Sequence, residues 1–350
     1  MAIKLLLGGS HCTHWSIAKK NREKTASGLG WELFKNYLIA KEKFKPDFFL
    51  YENVKSASKS IKEQIAKELG VKTDPQVRFT YINSALVSAQ NRERFYVTNF
   101  GNIKQPEDRD VLLKDILETK GKNVSSNKEK SYCITATYNK ASIDNTLSKL
   151  QRTMIADPVI FQRPRGNNPG GIKRNKTTTL TSNSYVENNL IIESTNNKTH
   201  TIEVNQKQTK IKGKSYKIDL QDGYYNVRKL TVKECERLQT MPEGYCKSVS
   251  KTQAYKALGN GWTAEVIIHL LKHVLSDIPK HEKIIVLSLY DGIATGRYCL
   301  DKKGFTNIKY FAYETDKFAR KIAVDNYPDI IQCGNAFKVR EKSTGGALWI

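Results

Sequence analysis

Cysteine is sparse: among 350 residues only Cys12, Cys133, Cys235, Cys246, Cys299 and Cys333 occur, with no CxxC pair and no ladder of spacings. That pattern argues against a disulfide framework and a zinc site, and points to a reducing compartment. No apolar run is long enough to span a bilayer, and no basic amphipathic helix is evident, which puts nucleic acid ahead of an acidic membrane as a partner. The N-terminus runs straight into a strand pattern instead of a leader peptide, so the sequence reads as cytoplasmic. Acidic side chains are also scarce. Against 58 Lys and Arg stand 35 Asp and Glu, a formal charge of +23, and so unbalanced a chain expects a polyanionic partner. Internal repeats are absent, and 350 residues suffice for one large domain and a smaller one.

The most informative stretch that is present lies near the start. Lys4-Leu5-Leu6-Leu7 stops at Gly8-Gly9, and Ser10-His11-Cys12 follows. An unbroken apolar run ending in paired glycines reads as a buried parallel strand that delivers a thiol to the rim of a sheet, where α/β enzymes place their chemistry. Cys12 is therefore the candidate nucleophile, although a lone cysteine is more often a small buried apolar residue. A helical segment is expected from Trp15 towards Ala40, interrupted by Ser27-Gly28-Leu29-Gly30. A second strand, Phe48-Phe49-Leu50-Tyr51, ends in Glu52-Asn53-Val54. A helix over Ser58–Leu69, a strand over Arg78–Asn83 and the run Gln90-Asn91-Arg92-Glu93-Arg94 come next.

From about residue 120 to 226 helical periodicity fades, and short Val, Ile and Tyr runs suggest a small irregular β domain. Residues 121–220 hold 17 basic and 7 acidic side chains. The glycine-rich turn between Arg163-Pro164-Arg165 and Ile172-Lys173-Arg174 is suited to a DNA groove, with arginines on base edges and lysines on phosphates; a solvated surface loop fits as well. Capping boxes at Thr231/Glu234 and Ser250/Gln253 start two helices, the second stopping at Gly259-Asn260-Gly261, and a third covers Ala264–Leu275. A strand over Lys283–Tyr290 then leads into Asp291-Gly292-Ile293-Ala294-Thr295-Gly296, and the next strand closes on Glu314. A glycine turn with an acid at the tip of the following strand is the Rossmann arrangement. GxxxG in place of GxGxxG argues against a dinucleotide pyrophosphate and suits S-adenosylmethionine, which has a ribose and no phosphate.

Together these motifs resemble those of the DNA cytosine C5-methyltransferases. Gly8-Gly9-Ser10-His11-Cys12 resembles the nucleophile motif, Glu52-Asn53-Val54 the ENV motif and Gln90-Asn91-Arg92-Glu93-Arg94 the QxRxR motif. Arg228-Lys229-Leu230-Thr231 with Glu234, Arg237-Leu238-Gln239 and Pro242 resembles RxLTxxExxRLQxFP, and Gly259-Asn260 the late GN motif. The wording Leu287–Gly296 with Asp291, and Trp262 after the GN pair, are similar to the animal de novo enzymes. The motif order is changed, with the cofactor half last, as in a circular permutation.

The resemblance implies an α/β fold: a Rossmann-like, S-adenosylmethionine-dependent methyltransferase with a mixed sheet, circularly permuted, and a smaller irregular β-rich target recognition domain. It divides the chain into a nucleophile half at 1–119, a target recognition domain at 120–227, and a helical return plus cofactor half at 228–350. Cys12 would add to cytosine carbon 6, Glu52 would hold or protonate N3, and Arg94, helped by Arg92, would hold O2. Tyr290, Asp291, Gly292, Ile293, Ala294, Thr295, Gly296, Glu314, Thr315, Asn335, Asn260 and Trp262 would line the cofactor site. Arg163, Arg165, Lys173 and Arg174 would meet DNA. The implied partners are double-stranded DNA and, in restriction-modification systems, a cognate restriction endonuclease. His11 replaces the family's proline and Asn335 its usual aspartate. Two other readings stay open: a silent DNA-binding relative, for which His11 speaks, and a tRNA cytosine methyltransferase.

Overall fold

The computed structural model describes residues 2–10, 12–16, 21–119, 122–124, 129–149, 152–158, 160–162, 171–173, 200–211, 213–220 and 223–341. The first segment forms β1 (Ile3–Gly8), α1 (Gly28–Phe44), β2 (Phe48–Val54), α2 (Lys59–Leu69), β3 (Arg78–Asn83), β4 (Glu93–Thr98) and a short α3 (Leu113–Ile116). The middle forms β5 (Lys122–Asn123), α4 (Ile143–Lys149), β6 (Met154–Pro158), β7 (Ile160–Gln162), β8 (Gly171–Lys173), β9 (His200–Val204), β10 (Gln208–Ile211), β11 (Lys214–Lys217) and β12 (Gly223–Lys229). The last segment forms α5 (Val232–Leu238), α6 (Lys251–Asn260), α7 (Ala264–Leu275), β13 (Ile284–Leu289), α8 (Thr295–Lys302), β14 (Ile308–Tyr313), α9 (Lys317–Asn326) and β15 (Ile331–Gln332).

Seven strands make one mixed sheet in the order β15-β14-β13-β1-β2-β4-β3. Strands β15 through β2 run parallel, and β4 is antiparallel to both β2 and β3. The continuous apolar run of β1 is explained by cover on both faces. Leu5 and Leu7 enter a core with α7, α8 and α9, while Leu6 enters a second core with α1 and α2. A four-stranded sheet, β5-β6-β12-β9, and two hairpin-like pairs, β7-β8 and β10-β11, form the smaller β-rich region. Among the described residues no helix is long and apolar enough to cross a membrane.

Two sequence expectations need correction. The helix expected over Trp15–Ala40 starts only at Gly28 and runs to Phe44. Trp15, Ser16 and residues 21–27 are not helical, because Glu23 folds back and its carboxylate accepts the Gly30 N–H at 3.0 Å, capping the first turn. The glycines thus begin the helix instead of interrupting it. At Ser250 only half of the capping box forms: the hydroxyl accepts from Gln253 N. The β-rich middle also carries one helix, α4, which packs Ile143 and Leu147 into the core.

Candidate active site

The register of the sheet assembles the site. Gly8 at the end of β1 pairs with Leu289 of β13 on one side and Tyr51 of β2 on the other. The chain after Gly8 therefore enters between the glycine turn that follows β13 and the carboxylate of Glu52. Cys12 opens a single 3-10 turn, Cys12–His14. Paired glycines are needed here: a Cβ on Gly9 would stand 2.7 Å from the Glu52 carbonyl oxygen and 2.9 Å from its Oε2. Behind the turn, Ser10 Oγ and Tyr51 Oη are 2.8 Å apart, and Asn53 Nδ2 donates to the Ser10 carbonyl at 2.9 Å. Glu23 fastens the far side, accepting from His14 Nδ1 and Trp15 Nε1.

Glu52 is buried, and each carboxylate oxygen has its own donor. Arg94 Nε stands 2.9 Å from Oε1, and Trp262 Nε1 donates to Oε2 at 3.1 Å. Arg94 in β4 and Arg92, one residue before the strand, both reach Cys133. Arg92 departs from its expected role beside the base. Its guanidinium is buried and donates to the carbonyls of Ile134 at 3.1 Å, Gly259 at 3.3 Å and Gly261 at 2.7 Å. It clamps the entrance of the middle region to the end of α6. Burial pushes the Cys133 thiol up, but the charges of Arg92 and Arg94 and hydrogen bonds from both outweigh it and hold the thiol below its ordinary range.

At the opposite side of β1, the turn Tyr290–Ala294 has three left-handed residues, Tyr290, Gly292 and Ala294. A Cβ on Gly292 would meet open space. The Tyr290 hydroxyl donates to the Leu33 carbonyl at 2.8 Å and accepts from Asn36, so α1 fixes the ring. Asp291 Oδ1 accepts from Tyr310 at 2.6 Å, whereas its buried Oδ2 makes no well-formed hydrogen bond among the described residues, although the Ser288 hydroxyl and the Ala294 N–H act on the carboxylate. Burial, against the Tyr310 hydrogen bond, pushes the Asp291 carboxyl up to about 6.

Several expected cofactor residues have other duties. Glu314 accepts from the N–H groups of Gly292, Thr315 and Asp316, tying the tip of β14 to the turn and leaving room for about one more donor on its carboxylate. Asn335 Oδ1 caps a 3-10 turn by accepting from Phe337 N. Ile293, Ala294 and Thr295 are buried, and Gly296 lets α8 approach β1 and β14, since a Cβ there would be 2.7 Å from Leu7 and Tyr310. Asn260 is exposed at the end of α6. His11, Arg163, Arg165 and Arg174 lie outside the described residues, as do the side chains of Cys12 and Lys173.

Sequence reasoning named Gln90, Gln239 and Arg228 within motifs without giving them work. Gln90 donates to the Leu238 carbonyl and to Gln239 Oε1, and Gln239 donates to Leu258, so two buried amides lock the segment before β4 to α5 and α6. Arg228 makes two bonds of 2.8 and 2.9 Å with the buried Glu234. The signal was available in the polar residue types at fixed motif spacings; only their partners were not.

The family model described as C-5 cytosine-specific DNA methylase matches residues 1–276. Type II methyltransferase M1.ScrFI of Lactococcus lactis subsp. cremoris is 26% identical over 294 residues, covering 80% of this chain and 64% of that protein. Type II methyltransferase M.SsoII of Shigella sonnei is 27% identical over 288 residues, covering 79% and 64%. The chain thus spans just under two thirds of the length of these two relatives. Orphan methyltransferase M.SPRI of Bacillus phage SPR is 23% identical over 369 residues, covering 77% of this chain and 82% of that protein. Among solved structures, S. pombe Dnmt2 overlays at a TM-score of 0.40 with 15% identity, covering 78% of each chain.

Proposed function

Because the chain belongs to the C-5 cytosine-specific DNA methylase family, we propose that it methylates cytosine carbon 5 at a short sequence in double-stranded DNA, acting on a base flipped out of the duplex. The observation that carries this is the Glu52–Arg94 pair at 2.9 Å, set beside the strand that leads to Cys12. Carbon 5 of cytosine is a poor nucleophile. A thiolate from Cys12 adding at carbon 6 makes it an enamine carbon, and the thiolate leaves again when the carbon 5 proton is lost. Glu52 meets the N3 edge, and Arg94 holds O2 and the charge that develops on the ring. Arg92 keeps the middle region and the α6 end in place around them.

S-adenosylmethionine supplies the methyl group. The turn fits it: Asp291 Oδ2 is a buried acceptor without a well-formed hydrogen bond and could take an ammonium, the space over Gly292 is open, and Glu314 retains an acceptor position for a ribose hydroxyl. The basic middle region, with Arg163, Arg165, Lys173 and Arg174, grips the duplex while the base is out. We read the strands that follow the matched residues 1–276 as the cofactor half, set last in a circularly permuted order; the placement of the glycine turn between β13 and α8 supports this reading. We read the enzyme as cytoplasmic and as a modification enzyme that works with or without a cognate endonuclease.

The test is incubation of purified protein with labelled S-adenosylmethionine and either mixed-sequence duplex DNA or tRNA, read by base-resolved sequencing beside Cys12→Ser. Methyl groups at one short duplex motif, absent in the variant, are expected. Duplex binding without transfer would leave a silent DNA-binding protein, and transfer to tRNA alone would move the substrate to RNA.

A further inference from the structure

Cys133 sits just beyond β4 in space and before α4 in sequence, where no role has been given to it. Its sulfur is 3.1 Å from Arg92 Nη1 and 4.0 Å from Arg94 Nη2. Arg94 uses its other nitrogens on Glu52 Oε1 at 2.9 Å and on the Glu93 carbonyl at 2.9 Å. Arg92 continues to the Gly261 carbonyl at 2.7 Å, and the next residue, Trp262, donates to Glu52 Oε2 at 3.1 Å. The contacts close a ring: Glu52, Arg94, Cys133, Arg92, Gly261, Trp262 and back to Glu52. Sulfur is large and polarisable, so one atom can serve two guanidiniums that a smaller acceptor would have to choose between.

We propose that Cys133 is a positioning residue for Arg94, its sulfur fixing the plane of the guanidinium that meets Glu52 and the target base. This rests on the reading of Glu52 and Arg94 as the pair that holds that base. Cys133 forms no bond to substrate and is not a second nucleophile. The sulfur accepts from both guanidiniums and donates to the Ile134 carbonyl at 3.4 Å, and so leaves Arg94 directed at Glu52 when the carboxylate turns towards a base. Without the sulfur, Arg94 loses one of the contacts that resist rotation about its long axis.

Single-turnover methyl transfer on duplex DNA by Cys133→Ala and Cys133→Ser tests this. The alanine variant is expected to lose about tenfold in rate, with the KM for S-adenosylmethionine and the melting temperature unchanged, and serine, which keeps an acceptor, to recover most of the loss. Wild-type rates in Cys133→Ala, or equal losses in both variants, would overturn the proposal. Failure of the wild-type protein to transfer methyl at all would count against the base-holding reading, and a second arm then decides. In Cys12→Ser protein, peptide-mapped alkylation of Cys133 by iodoacetamide at neutral pH should slow about fivefold on adding Arg94→Gln, because the thiolate loses one of its cations. An unchanged rate would show that Arg94 and the sulfur do not act on each other.

Discussion

Two carboxylates face the same strand-end rim and are held in opposite ways. Glu52 has a donor on each oxygen, whereas Asp291 has one oxygen on Tyr310 and the other buried without a well-formed hydrogen bond among the described residues. A buried acceptor left in that state costs stability, about 1–3 kcal/mol, and is kept where a ligand will satisfy it. The cost has a pH signature. The Asp291 carboxyl moves from an ordinary value of 3.8 to about 6 in the folded chain, so the folded state binds the proton more tightly. Stability from this group is complete below about pH 4 and is lost as pH rises through 6. Asp291→Asn should therefore melt a few degrees above wild type at pH 7.5 and level with it near pH 3, while binding S-adenosylmethionine more weakly by calorimetry. A melting difference independent of pH would show that the carboxyl is not the source. The residues that carry such effects were only partly legible. Glu52, Asp291 and Arg94 could be picked out because their types and motif spacings are distinctive. The Trp262 indole on Glu52 could not, because the two lie 210 positions apart and only the fold brings them together. The same is true of Cys133, whose neighbours in sequence, Tyr132 and Ile134, give no hint of two arginines.

At the scale of elements, α6 shows how one small residue governs a junction. A Cβ on Gly259 would fall 2.3 Å from the Thr135 carbonyl carbon and 2.4 Å from Ala136 N, backbone that cannot step aside cheaply. Alanine would improve helix propensity by about 1 kcal/mol, but overpacking of this kind costs about 1–3 kcal/mol, so the contact decides. Gly259→Ala should push the segment around residues 131–138 away from α6, strip Arg92 of part of its carbonyl cradle and lower activity. Amide exchange confined to that segment and to Gly261 is the expected sign, with α7 and β13 unchanged; uniform faster exchange would mean general destabilisation instead. Elements with long apolar runs or clear caps, such as β1, β13 and α7, are legible because their signals are local. The start of α1 was not, since the Glu23 carboxylate that caps it belongs to a loop. Nor were the partners of β12, which pairs with β6 and with β9 across long stretches of chain whose register no local pattern specifies.

At the scale of the whole molecule, the seven-stranded sheet is built from the first and the last described segments. β1 lies between β2 from its own segment and β13 from the last, so neither segment can cover both edges of the strand alone. The ends of the described chain also meet. Lys43 near the end of α1 donates to the carbonyls of Val339 at 2.7 Å and Glu341 at 2.8 Å, while Lys4 at the start of β1 reaches the Phe44 carbonyl at 3.5 Å and, through its N–H, Asp47 at 2.8 Å. Both ends are thus anchored at the C-terminus of α1. The connection from α7 to β13, by contrast, is exposed at Ser276 and Asp277, where a cut breaks little structure. A chain running from residue 277 to 350 and then from 2 to 276 would place β13–β15 ahead of β1. The nine residues 342–350 supply a connector of up to about 30 Å when extended, ample for ends held at the same helix terminus. Such a chain should fold, melt within a few degrees of the natural order and methylate the same sequence. If it is insoluble, or folds without activity while the natural order is active, the connection between α7 and β13 does more than join two strands' worth of sheet, and the order of the segments is itself part of how the site is built.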